Sequence, residues 1–221
     1  RIIAVELDEP VTIREVVPEG DEALEQAHVV GGRIAAAYLH HGHGRLVAFD
    51  LDGRPVFEVE LPGIGSILDL AGRRQDDELF VAFATYVAPP LVLGVRMRDG
   101  RVRPAPARTL AWDPAEFVTE QVFVDSPDGT RVPMFLSHRR DVAPTGDVPT
   151  LIHGYGGFHI AQSPVFKPEW LAWMERGGLL AVAGLRGGGE YGKPWHDAGR
   201  LANKQNVFDD YAACVRWLAS S

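Results

Sequence analysis

Cysteine is almost absent from this chain. Cys214 stands alone among 221 residues, which excludes an internal disulfide and points to a reducing, cytoplasmic setting, the alternative being a disulfide-free periplasmic or secreted protein. Long apolar runs are missing as well. None reaches the roughly 20 residues that a membrane-spanning helix needs, so no membrane partner is expected. There is no excess of positive charge: 22 Lys and Arg face 30 Asp and Glu, for a formal net charge of −8. That balance argues against nucleic acid, whose phosphates want a basic face. Ligand clusters are scarce too. His28, His40, His41 and His43 crowd one region, but no cysteine or carboxylate accompanies them at ligand spacing. They read as a polar loop tip, and neither a metal nor a cofactor is expected. The amino terminus lacks a signal-peptide pattern, because Arg1–Leu7 reads as a strand with Glu6 interrupting any apolar core. Finally, no serine sits in a Gly-x-Ser-x-Gly frame: Ser66, Ser126, Ser137, Ser163, Ser220 and Ser221 all lack it.

What is present describes a folded protein. Hydrophobic residues make up 46% and charged residues 24%, a balance that rules against disorder. Up to about residue 115 the sequence reads as short strands: Arg1–Leu7, Arg33–Leu39, Arg45–Asp50, Val56–Leu61, Ser66–Ala71, Glu78–Tyr86, Leu91–Met97 and Arg101–Leu110. Asp52-Gly53 and Asp99-Gly100 are hairpin signals. This spacing fits an all-β sandwich, barrel or propeller, and pattern alone does not choose among them.

The pattern then changes. Thr119–Asp125 and Arg131–His138 form a hairpin across Ser126-Pro127-Asp128-Gly129-Thr130, and Asp141–Asp147, with Pro144, reads as a loop. Pro149–His153 reads as a buried strand and Lys167–Arg176 as a helix ended by Gly177-Gly178. Leu179–Gly184 reads as a second parallel strand. A helix follows from Asn206 to about Ala219, with Asn206 as N-cap and Asp209 near the positive end of the dipole. Its apolar stripe is Val207, Tyr211, Cys214, Val215 and Leu218, which makes Cys214 a core residue. Strand–helix–strand–helix is a doubly wound pattern.

Both parallel strands run into glycine-rich loops, His153-Gly154-Tyr155-Gly156-Gly157-Phe158 and Arg186-Gly187-Gly188-Gly189-Glu190-Tyr191-Gly192. In an open α/β sheet the ligand crevice lies beyond the carboxyl ends of the strands, so both loops belong to one end of one sheet. The block Gly154–Phe158, the block Arg186–Gly192 and the block Lys204-Gln205-Asn206-Val207-Phe208-Asp209-Asp210 resemble, in order and spacing, the prolyl oligopeptidase family of serine peptidases.

That resemblance implies a partial β-propeller, its C-terminal blades in residues 1–115, and the N-terminal part of an α/β-hydrolase domain in residues 116–221. The crossing falls near Asp113-Pro114. It implies hydrolysis of short peptides after proline through an acyl-enzyme, with proline-containing peptides as partners. Tyr155 would donate its hydroxyl to the oxyanion, and Phe158 would line the proline pocket. The alternatives are that Tyr155 caps the strand end and Phe158 packs in the core. The nucleophile and the rest of the triad are expected beyond Ser221, on the remainder of the polypeptide, so the 221 residues alone are expected to be inactive. His153 and His196 then read as structural. The second block reads as a backbone-shaping loop with Arg186 and Glu190 in ion pairs, the alternative being a substrate contact. At the level of function, a sister oligopeptidase and an inert or interacting fragment are the competing readings.

Overall fold

The computed structural model describes residues 1–7, 9–104, 109–143 and 146–220. β1 (Ile2–Glu6) and β2 (Thr12–Val17) form an antiparallel pair. β3 (Ala23–Val30), β4 (Arg33–His40), β5 (His43–Phe49) and β6 (Pro55–Glu58) form a four-stranded meander. β7 (Ser66–Ala71), β8 (Glu78–Ala84), β9 (Leu91–Arg96) and β10 (Val102–Pro104) form a second.

The middle strands of the first meander, β4 and β5, are buried on both faces, and their sequence alternates to match. Ile34, Ala36, Val47 and Phe49 pack toward Val16 and Val17 of β2. Their neighbours Ala35, Ala37, Leu46 and Ala48 pack the other way, against Leu79, Val81, Phe83, Leu93 and Val95 of the second meander. Successive side chains leave a strand on opposite faces, so one strand can serve two cores. Stacked four-stranded meanders of this kind are propeller blades.

Two strands were not foreseen. β2 (Thr-Ile-Arg-Glu-Val-Val) and β3 (Ala-Leu-Glu-Gln-Ala-His-Val-Val) carry charged or polar residues on a solvated face, and backbone pairing holds them. The strand expected over Arg101–Leu110 is observed only as Val102–Pro104; residues 105–108, like Pro144 and Ser221, lie outside the described residues.

A short 3-10 turn, Pro114–Glu116, precedes the second part; Asp113 caps it by accepting the Ala115 N–H. β11 (Phe117–Asp125), β12 (Arg131–Arg139), β13 (Thr150–Gly154) and β14 (Leu179–Ala183) form one sheet in the order β11-β12-β14-β13. β12 and β14 are antiparallel, whereas β13 and β14 are parallel with Thr150 opposite Leu179 and Gly154 opposite Ala183. Helices cover both faces. α1 (Pro168–Glu175) packs with Leu180 and Val182 through Trp170, Leu171 and Met174. α2 (Gly192–Asp197) is a short helix beyond the second glycine loop. α3 (Gln205–Ser220) packs on the opposite face with Leu179, Ala181 and Ala183 through Val207, Ala213 and Cys214.

Three expectations need correction here. The burial expected of β13 is not seen: among the described residues it pairs with β14 on one side, and Thr150 and Leu151 are exposed. Asn206 is not a cap. α3 begins at Gln205, and Asn206 Nδ2 donates to the Ala198 carbonyl at 2.9 Å. Val215 lies outside the apolar stripe and is exposed, while Asp210 is inside it.

Candidate active site

The loop after β13 carries Tyr155 and Phe158. Tyr155 is 47% exposed and Phe158 81% exposed, their rings stacked 6.3 Å apart at 25°. Neither packs in a core formed by the described residues. Phe158 and His159 both have left-handed backbone, φ 51° and 59°. Such conformations are uncommon for non-glycine residues and persist only where the surroundings impose them.

The surroundings here are the second glycine loop. Gly156 has φ +61°, and a Cβ on it would lie 2.3 Å from Val207 Cγ1 and 3.0 Å from the Arg186 carbonyl oxygen. Gly187 has φ +89°, and a Cβ there would lie 2.7 Å from the Gly156 carbonyl oxygen. The two loops therefore meet backbone to backbone, at a distance that only glycine allows. His159 N–H donates to the Gly187 carbonyl at 3.2 Å, and Lys204 Nζ donates to the Gly156 carbonyl at 2.7 Å. Lys204 belongs to the third block, so all three blocks close on one another.

Arg186 anchors this junction from beneath. Its backbone N–H, Nε and Nη2 donate to Asp210 at 3.1, 2.9 and 2.6 Å, and its guanidinium also bonds Asp128. Ser126 Oγ donates to Asp210 Oδ1 at 2.6 Å. Asp210 is fully buried and Arg186 nearly so. The Arg186 guanidinium holds the Asp128 carboxyl down at about 2, and hydrogen bonding to Asp210 pushes the arginine further up. The ion-paired reading of Arg186 holds. Sequence reasoning missed its partner, although a signal existed: Val207, Asp210 and Cys214 share one helix face, and a carboxylate there must meet a cation.

Glu190 differs from expectation. It has no ion pair among the described residues. It is 1% exposed, and burial pushes its carboxyl up to about 7 against the downward pull of N–H donors led by Gln162. Gln162 N–H donates to Oε1 at 2.8 Å, while Oε2 has no hydrogen-bond partner among the described residues.

The histidines take structural positions. His153 Nε2 lies 2.9 Å from Gln162 Oε1, and His196 Nδ1 lies 2.8 Å from the Gly187 carbonyl oxygen. The His41-Gly42 turn between β4 and β5 docks onto the second part: His41 Nδ1 lies 2.9 Å from the Tyr191 hydroxyl, and Gln121 donates to the His41 carbonyl at 2.6 Å. A carboxylate does join the histidines, because Glu22 bonds both His40 and Arg45. No metal-binding group of histidines, cysteines and carboxylates occurs among the described residues. Cavities of about 560 and 370 Å³ flank this turn, both lined in part by His41 and Tyr191, and neither includes Tyr155 or Phe158. Cys214 is buried, and burial pushes its thiol up to about 12, which removes it as a nucleophile.

Antiparallel blades leading into a helix-covered mixed sheet, with glycine loops locked together at its end, define a propeller-bearing member of the α/β-hydrolase class. The family model described as "Prolyl oligopeptidase, N-terminal beta-propeller domain" matches residues 1–108, and the one described as "Prolyl oligopeptidase family" matches residues 164–221. A prolyl endopeptidase of Elizabethkingia miricola is 36% identical over 209 residues, covering 95% of this chain and 30% of that protein. One of Dictyostelium discoideum is 30% identical over 233 residues, covering 99% of the chain and 30% of that protein. A structure from a study of two prolyl endopeptidases superposes with TM-score 0.89 at 44% identity, covering 99% of this chain and 32% of that one. Prolyl oligopeptidase B of Galerina marginata, bound to a 25mer macrocyclization substrate, superposes with TM-score 0.87 at 26% identity, with coverage of 99% and 31%. The chain belongs to the prolyl oligopeptidase family. It spans about 30% of the length of the curated relatives it matches.

Proposed function

We propose that this chain is part of a serine-type endopeptidase that cleaves short peptides on the carboxyl side of proline through an acyl-enzyme. Tyr155 donates its hydroxyl to the oxyanion of the tetrahedral intermediate, and Phe158 offers an apolar ring to the proline. The nucleophile this reaction needs is not among the serines of these residues. Residues 1–115 form propeller blades that restrict entry, and residues 116–221 open the hydrolase sheet, with the crossing near Asp113-Pro114.

One observation carries this reading: a half-exposed tyrosine at the carboxyl end of a parallel strand, stacked on an exposed phenylalanine, on a loop clamped by glycine contacts. A phenol stays protonated at neutral pH and can donate. A clamped loop supplies that donor without reorganisation, which is what makes oxyanion stabilisation effective. A pyrrolidine brings no N–H to satisfy, so a flat apolar ring suits it. The curated relatives named prolyl endopeptidases support the substrate class. The test uses the intact protein that carries this chain. It should hydrolyse a chromogenic peptide with proline before the scissile bond, stop on treatment with a serine-directed inhibitor, and spare the alanine counterpart. Equal cleavage of both peptides, or activity untouched by the inhibitor, would overturn the proposal.

A further inference from the structure

The second glycine loop carries a buried carboxyl that the proposed reaction does not use. Glu190 is 1% exposed and makes no ion pair among the described residues, an expensive situation for a carboxyl group. Room is made for it: a Cβ on Gly188 would lie 2.3 Å from its Oε2 and one on Gly184 would lie 3.0 Å from its Cγ. On one side Glu190 reaches the loop that carries Tyr155 and Phe158, because Oε1 accepts the Gln162 N–H at 2.8 Å. On the other side it faces the propeller: a Cβ placed on Gly42 of the β4–β5 turn would stand in van der Waals contact with Glu190 Cγ, at 3.4 Å. Its neighbour Tyr191 holds the same turn through the His41 imidazole at 2.9 Å.

We propose that Glu190 is a positioning residue for the reaction, a strut that braces the Tyr155–Gln162 loop against the propeller turn His41-Gly42. It touches neither substrate nor reacting atoms and acts through the Gln162 amide. Without an acceptor there, a part-buried N–H is orphaned and the loop gains a reason to move. A loop carrying an oxyanion donor tolerates little movement, since misplacement by about 1 Å can cost up to about a hundredfold in rate. This inference rests on the roles proposed for Tyr155 and Phe158.

The test compares two variants of the intact protein with similar side-chain volume. Glu190→Met removes the acceptor without opening a large cavity, and Glu190→Gln keeps an amide oxygen for Gln162. With E190M, kcat/KM should fall about tenfold, mainly through kcat, and amide exchange across residues 159–163 should speed up about tenfold. With E190Q, both should stay within about threefold of the parent. The exchange readout needs no substrate, so it tests the strut separately from the peptidase reading. Exchange that quickens without loss of kcat/KM, or the reverse, would overturn the strut. So would a folded E190Q protein that loses as much activity as E190M; should E190M fail to fold, that E190Q result decides alone.

Discussion

Replacing Asp210 by alanine should be among the most destabilising single changes in the second part of the chain. Asp210 is fully buried and accepts the backbone N–H, Nε and Nη2 of Arg186 together with the Ser126 hydroxyl. Its loss leaves the Arg186 guanidinium buried, with Asp128 as its remaining carboxylate and the Ser126 hydroxyl without its acceptor. Breaking a buried pair by removing one partner costs about 3–5 kcal/mol, because the other charge stays behind. Typical domain stability is about 5–15 kcal/mol, so the effect is large. The pair itself is worth much less than its rupture. In Arg186→Met/Asp210→Leu both charges go together; the Ser126 hydroxyl and the backbone N–H of residue 186 lose their acceptor, at about 1–3 kcal/mol each, just as they do in Asp210→Ala, but no buried cation is left short of its partner. The double variant should therefore be about 2 kcal/mol more stable than Asp210→Ala. Urea unfolding of the intact protein and the two variants measures both numbers. A cost below about 1 kcal/mol for Asp210→Ala, the scale of a surface ion pair, would refute the reasoning.

Two further outcomes follow from the same junction. The Glu190 carboxyl is raised to about 7 in the fold from an ordinary 4.5, so its contribution is fully present below pH 4.5 and is lost as pH rises through about 7. At pH 8 the charged form should cost about 3 kcal/mol that Glu190→Gln does not, so the variant's advantage should grow between pH 4.5 and 8; parallel stability curves would contradict this. Gly156→Ala should destabilise by about 2–4 kcal/mol, adding overpacking against Val207 to a left-handed backbone, and thermal unfolding close to the parent's would show that the loops are not in the contact described.

Much of the fold was legible because burial writes itself into alternation. β4 and β5 show it with residues that serve two cores by turns. β14 was legible as a parallel strand because its five residues are all apolar, and all five are buried. β13 looks similar in sequence yet has a single partner strand among the described residues, since short apolar runs do not reveal which strands flank them. β2 and β3 were missed because backbone pairing, which any side chain permits, holds strands with polar solvated faces. At the candidate site, the sequence put Tyr155 and Phe158 on one glycine-rich loop, and they stack there. It did not reveal that Arg186 pairs with Asp210, that Lys204 bonds Gly156, or that Glu190 finds no ion pair among the described residues and reaches Gln162. Those contacts join residues up to 48 positions apart, and local pattern carries no information about such partners.

The role of the Tyr155 hydroxyl is open to the most direct measurement: turnover of the intact protein on a proline-containing chromogenic peptide, before and after Tyr155→Phe. This change removes one oxygen from a half-exposed ring and leaves its stacking on Phe158 in place. An oxyanion donor acts in the transition state and not in the bound substrate, so kcat should fall about 10²–10³-fold while KM stays within about twofold. An unchanged kcat, or a loss confined to KM, would contradict a catalytic part for that hydroxyl.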